Sequence, residues 1–108
     1  MIRCEPAKGG KVKVTFVLPA TEPGGKVSVV GDFNDWEDGA TTLRKRGDTR
    51  SASVTLAGGR RYAFRYRTAA GEWFNDDGAH GYEQGDFGAD NSIIDLIDGS
   101  AIDLSGAG

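Results

Sequence analysis

Apolar and polar residues alternate along almost the whole of this chain, and no long segment follows the 3.6-residue period of an α-helix. A period of two places successive side chains on opposite faces of an extended strand, one toward a core and one toward solvent. The pattern predicts strands over residues 11–18, 26–31, 42–46, 50–56, 61–68, 72–74 and 92–97. We therefore expect an all-β chain.

The segments between these runs are typical of tight turns, because the 17 glycines fall mostly there and have no fixed period. A chain of 108 residues is long enough to bury one core only. About seven short strands at this spacing predict a single immunoglobulin-like antiparallel β-sandwich. We expect the sandwich at residues 11–98, an N-terminal arm at 1–10 and a Gly-rich tail at 99–108.

Residues 61–68 show the clearest strand pattern, with three aromatic side chains on one face and arginines on the other. A hairpin turn centred near residue 69 would set Phe64 opposite Phe74 and Arg65 opposite Trp73. This register predicts that the phenylalanines point inward and that Arg65 and Trp73 share the outward face.

Charge and composition argue against several classes of function. The formal net charge of −3 gives no positive field to attract nucleic acid or an anionic membrane. No apolar run is long enough to span a bilayer, and the first residues lack the apolar core of a secretion signal. We expect a cytoplasmic protein that binds neither nucleic acid nor membrane, and the lone Cys4 suits a reducing compartment.

Catalytic and metal-binding patterns are not found in the sequence. Cys4 and His80 are the only residues of their types and lie far apart in the chain. No metal-ligand spacing and no phosphate-binding loop occurs. The adjacent Asp76 and Asp77 are expected to form a turn rather than a glycosidase pair, which requires carboxylates that face each other. We predict no catalytic residue, no metal and no cofactor.

The two tryptophans lie in polar surroundings that do not suit a core residue. Trp36 ends a polar segment, and Trp73 is expected on the outward face of its hairpin. A structural role at the core edge is one interpretation of each. A solvent-facing indole is also what a sugar site needs, because the apolar face of a glucose ring stacks on an aromatic ring. Arg65 and Asn91 could then hydrogen-bond the hydroxyls of a neutral ligand.

Four sequence blocks resemble the family 48 carbohydrate-binding modules, also called isoamylase N-terminal or early-set domains. The blocks are VSVVGDFNDW at residues 27–36, YAFRY at 62–66, GEWFND at 71–76 and GADNSII at 88–94. Members of this family include the glycogen-binding domain of the AMP-activated protein kinase β subunit. The resemblance covers roughly residues 11–97 and implies a non-catalytic module that binds α-1,4-glucans such as glycogen, starch and maltooligosaccharides.

Five residues match the family's sugar-binding positions. The resemblance implies that Trp36 and Trp73 stack on glucose rings, that Arg65 takes the place of a sugar-contacting lysine, that Phe87 wedges against the glucan and that Asn91 bonds its hydroxyls. The resemblance to enzymes extends only to their accessory domain, because a catalytic barrel would need about 250 further residues.

The sequence departs from the family pattern at two places. Ala89 stands where a hydroxyl residue is expected, which implies weaker binding, and residues 68–71 replace the usual turn before Trp73. A second hypothesis is therefore a regulatory module that docks to a glycogen-metabolising enzyme and binds little sugar. Docking would require an extended apolar patch or an unprotected strand edge.

Overall fold

The computed structural model describes residues 2–21, 25–37, 39–85 and 90–97. In these residues the chain forms nine strands in antiparallel sheets, with short 3-10 turns at Lys8–Gly10 and Asp32–Asn34. No helix in the described ranges is long and apolar enough to cross a membrane. The strands are β1 (Ile2–Pro6), β2 (Lys11–Pro19), β3 (Val27–Gly31), β4 (Arg44–Arg46), β5 (Thr49–Ala57), β6 (Arg61–Thr68), β7 (Trp73–Phe74), β8 (Gly81–Gln84) and β9 (Asp90–Asp95).

The strands pack as a β-sandwich, which confirms the predicted fold class. The first sheet has the order β1-β2-β5-β4 and the second the order β3-β6-β9-β8, while β7 pairs with β6 outside that order. Between β3 and β4 the chain hydrogen-bonds to the free edge of β3, through Val29 N to Thr41 O and Leu43 N to Val27 O, both at 2.9 Å. This contact covers part of an edge that could otherwise pair with another chain.

The core forms where aromatic side chains of the two sheets meet. Phe16 in β2 contacts Phe64 and Tyr66 in β6, with ring centroids 5.0 and 6.3 Å apart. All of these side chains are fully buried. Because alternate residues of a strand face opposite ways, the remaining residues of β6 point away from the core. Arg65 and Arg67 thus lie on the outward face of the second sheet.

Two of the nine strands were not predicted from the sequence. The expected N-terminal arm contains β1, whose Cys4 is fully buried opposite Val14 of β2. The expected loop over residues 75–91 contains β8, which pairs with β9. The residues of β8 carry no core-facing apolar pattern, because three of its four residues are exposed. This strand is stabilised by backbone pairing with β9, which cannot be predicted from a hydrophobic pattern.

Candidate carbohydrate-binding face

Two of the predicted site residues are in direct contact on the outward face of the second sheet. Arg65 of β6 and Asn91 of β9 lie side by side, and Arg65 Nε donates a hydrogen bond of 2.6 Å to Asn91 Oδ1. Their neighbours Phe64 and Ser92 point into the core and are fully buried. The strand period therefore fixes both polar side chains on one surface, where a guanidinium and an amide offer several donors to a ligand.

Trp73 lies on the same outward face, but its partner differs from the sequence prediction. The register pairs Tyr66 with Phe74 and Arg67 with Trp73, so the predicted pairing of Arg65 with Trp73 was wrong by two residues. A shift of two residues preserves the faces, because side chains alternate with a period of two. Phe74 still packs inward on Tyr66, with ring centroids 5.1 Å apart, and Trp73 remains 42% exposed.

The turn between β6 and β7 explains the corrected register. Thr68 N donates to Glu72 O at 2.9 Å, and Gly71 N donates to Thr68 O at 2.9 Å, so the hairpin is centred near residue 70. Gly71 has a φ of +88°, a conformation that glycine adopts without a steric penalty. The sequence prediction treated residues 68–71 as the whole turn and did not include Glu72.

Trp36 is fixed beside β6 through a shared carboxylate. The indole Nε1 donates to Asp32 Oδ1 at 2.9 Å, and the other oxygen of Asp32 accepts a bond of 2.8 Å from Ala63 N. Ala63 lies two residues before Arg65, at the end where β3 stops pairing with β6. The half-buried indole is therefore tied to β6 at Ala63.

The other residues of the Gly31–Trp36 loop have structural roles. Gly31 N donates to Asn34 Oδ1 at 2.9 Å, and Asn34 Nδ2 donates to Val29 O at 3.0 Å. The ring of Phe33 stacks on Phe16 in the core at 5.6 Å. A Cβ at Gly31 would clash with Ala63 O, so glycine is required for this close approach. Packing and hydrogen bonds thus hold the loop in place as far as Asn34.

Backbone strain is concentrated where this loop ends. Asp35 and Trp36 have φ values of 56° and 57°, both in the left-handed region. Asp tolerates that region, but for a bulky residue such as Trp it is an outlier that costs on the order of 1 kcal/mol. Strain of this kind persists only where the surrounding structure imposes it, and it is most common at functional sites. The strained residue here is the one predicted to stack on sugar.

The anchoring points of both tryptophans can be placed along β6. Trp36 is tied to Ala63 through Asp32, and Trp73 pairs with Arg67, four residues further on. Four residues of a strand span roughly 13 Å. Arg65 lies midway along β6 between these two anchoring positions, Ala63 and Arg67. Phe87, the fifth predicted residue, and Ala89 lie outside the described residues.

A buried polar network that the sequence prediction missed supports Trp73 and Asn91. Asp76 is 2% exposed, and its Oδ2 accepts a hydrogen bond of 2.5 Å from Tyr66 Oη. Asp76 N donates to Ser92 Oγ at 3.0 Å, and Tyr82 Oη donates to Asp76 O. Burial, and then the charge of Asp76, raise the pKa of Tyr66 far above its usual value. The network joins the segment after β7 to the strand that carries Asn91.

One sequence signal could have indicated this network. Ser92 occupies a core-facing position in β9, where a polar side chain needs a buried partner. Asp76 also has the turn role that was predicted, because its Oδ1 accepts a bond of 2.7 Å from Gly78 N. Asp77, in contrast, is exposed. The two carboxylates therefore occupy different environments.

The cysteine and the histidine lie on different sheets. Cys4 is fully buried in β1 of the first sheet. His80 precedes β8 of the second sheet, and its Nδ1 accepts a bond of 2.9 Å from Asp95 N. Partial burial lowers the pKa of His80, against the opposing effect of the charge on Asp95. In the part of the chain that the structure describes, no group of three or more His, Cys, Asp or Glu side chains could hold a metal ion.

A groove beside β7 is the second surface feature near Trp73. Its volume is about 990 Å³, and it lies between residues 17–19 of β2 and the segment that begins at Trp73. Exposed carboxylates also line it, from Asp48, Glu72 and Asp77. Trp73 is therefore adjacent both to the polar face around Arg65 and to a partly apolar groove.

Comparison with models of known protein families and with curated protein sequences gives no match. The family resemblance therefore stays a prediction based on the four sequence blocks.

Proposed function

We propose that this domain binds α-1,4-glucan chains, such as glycogen, starch or maltooligosaccharides, on the outward face of its second sheet and catalyses no reaction. The observation that supports this most directly is the juxtaposition of exposed Trp73 with the hydrogen-bonded Arg65–Asn91 pair on one sheet face. An aromatic ring suits the apolar side of a glucose unit, and the polar pair suits its hydroxyls.

Trp36 extends the same proposed surface. Its strained backbone and its hydrogen bond to Asp32 tie the indole to β6 at Ala63, four residues before Arg67, the partner of Trp73. An indole that is already held in one position loses little conformational freedom when a ligand binds. This gain in affinity would offset part of the cost of the strained backbone. With few anchors and solvent-exposed hydroxyls, we expect dissociation constants of roughly 10 μM to 1 mM.

The proposal includes a cellular setting that follows from the ligand. Glycogen is a cytoplasmic polymer, and a binding module without chemistry of its own would serve to bring a glycogen-metabolising enzyme to it. The alternative, docking to such an enzyme with little sugar binding, is favoured by one observation, the partly apolar groove beside Trp73. Titration with α-glucans separates these two functions.

Titration calorimetry with maltoheptaose and β-cyclodextrin tests glucan binding, and cellohexaose is the control for linkage specificity. We expect saturable binding of the α-linked ligands only, and loss of at least tenfold in affinity for Trp73→Ala. Ile97→Ala is a matched control, because Ile97 is also an exposed large apolar residue, at 52% against 42% for Trp73. A folded wild-type protein that binds none of the α-glucans up to millimolar concentration would overturn the proposal and leave docking as the function to pursue.

A further inference from the structure

The side chain of Arg67 lies over one face of the exposed indole of Trp73. The guanidinium carbon of Arg67 lies 4.6 Å from the centre of the Trp73 ring, in a cation–π contact. The two residues are directly paired across β6 and β7, so the contact follows from the register of the hairpin. A pyranose ring cannot occupy the same side of the indole while the guanidinium is there.

The surroundings of Arg67 hold its side chain in this position. The residue is half-buried, and its Nε has no contact with solvent. The turn also approaches it closely, because a Cβ placed at Gly71 would lie 3.6 Å from Arg67 Nη2. The guanidinium therefore packs between the indole of Trp73 and the Gly71 turn.

We propose that Arg67 is a specificity-determining residue that covers Trp73 in the free protein and leaves the ring when a sugar stacks there. This inference rests on the proposed glucan-binding function and adds a competing contact inside the site. A ligand must replace the cation–π interaction, so only a ring that stacks well on an indole gains from binding.

The test compares Arg67→Gln with Arg61→Gln as a matched control. Arg61 lies on the same outward face of β6, but its side chain pairs with Asp95 rather than with an indole. Since an exposed cation–π contact is worth about 0.5–1 kcal/mol, we expect Arg67→Gln to bind maltoheptaose about two- to fivefold more tightly than wild type. Arg61→Gln should leave the dissociation constant unchanged.

Fluorescence and NMR give readouts that do not depend on affinity. In a Trp36→Phe background Trp73 is the only tryptophan, since the chain contains two. We expect Arg67→Gln to increase the quenching of Trp73 by acrylamide. In the otherwise wild-type protein, the side-chain proton resonances of Arg67 should lose their ring-current shift as maltoheptaose is added.

The outcomes separate this inference from the proposed function. If neither wild type nor Arg67→Gln binds maltoheptaose, the glucan-binding function itself fails, and the inference fails with it. If both bind, but Arg67→Gln binds equally or more weakly, glucan binding stands and the competition is refuted. Arg67 would then orient the indole, and the sugar would use the opposite side of the ring. Binding by Arg67→Gln alone would support the inference most strongly.

Discussion

Replacing Tyr66 with phenylalanine deletes one hydroxyl group from the centre of the polar network that supports the proposed site. That hydroxyl donates the 2.5 Å hydrogen bond to Asp76, and neither residue is more than 2% exposed. A hydrogen bond to a charged group contributes about 1.5–3 kcal/mol, and a buried acceptor that loses its donor adds to the cost. We therefore expect the free energy of unfolding to fall by about 3 kcal/mol.

Urea denaturation followed by circular dichroism measures this loss. For a domain of this size, we expect the midpoint to fall by about 2 M urea with an unchanged slope. Tyr62→Phe is the matched control, because Tyr62 is also buried but its hydroxyl donates to a neutral carbonyl, Ala57 O, at 2.8 Å. That variant should lose only about 1 kcal/mol. Equal losses for both variants would refute the argument that the charge on Asp76 makes this hydrogen bond strong.

Alkaline pH provides a second check on the same pair. Burial and the charge of Asp76 raise the pKa of Tyr66 in the folded protein above its ordinary value of 10.0. The unfolded chain releases this proton near pH 10 while the folded chain retains it, so stability is fully present below that pH. Above it, stability should fall by about 1.4 kcal/mol per pH unit. Tyr66→Phe removes this term, and an unchanged alkaline slope in the variant would contradict the assignment.

Two substitutions in the Gly31–Trp36 loop separate its structure from its function. Gly31→Ala should destabilise the domain by about 3 kcal/mol in urea, because its Cβ would clash with backbone at Ala63 O, whereas Gly81→Ala meets only an ordinary contact and should be nearly neutral. Trp36→Asn should abolish glucan binding in calorimetry yet unfold within about 1 kcal/mol of wild type, because Asn tolerates the left-handed backbone. A loss of 3 kcal/mol or more, about that of truncating a core aromatic residue, would show that Trp36 is structural.

The strand pattern predicted the fold well where side chains alternate against the core. The predicted bounds of β6, residues 61–68, are those observed, because its aromatic side chains face the core at every second position. In contrast, β1 offers only Ile2 and Cys4 to the core, and β8 is largely exposed. Their backbone pairs with β2 and β9, and no local sequence pattern reports such long-range pairing.

The candidate site was predictable as a face but not as a set of contacts. Alternation placed Arg65 and Trp73 on one surface, whereas Asn91 was expected in a loop and was assigned from its amide group and the family resemblance. The structure brings Arg65 and Asn91 together. The contact of Arg67 with Trp73 depends on the hairpin register, which the turn sets through hydrogen bonds at Thr68. A period of two cannot distinguish registers that differ by two residues, so the alternation of the sequence could not predict this contact.

The structure shows that most of the motif at residues 31–36 has a structural role, so the motif alone is weaker evidence for sugar binding. In the segment from Gly31 to Asn34, each residue makes a contact that builds the loop, through close packing, hydrogen bonds to the backbone or stacking in the core. A domain that had lost its sugar site would need those residues just as much. The left-handed backbone of Asp35 and Trp36 also belongs to this turn, because Trp36 N donates to Gly31 O at 2.9 Å. The indole of Trp36, by contrast, is only half-buried. Substitutions of the tryptophans and their polar neighbours therefore test the function, whereas the rest of the motif indicates only that this loop is present.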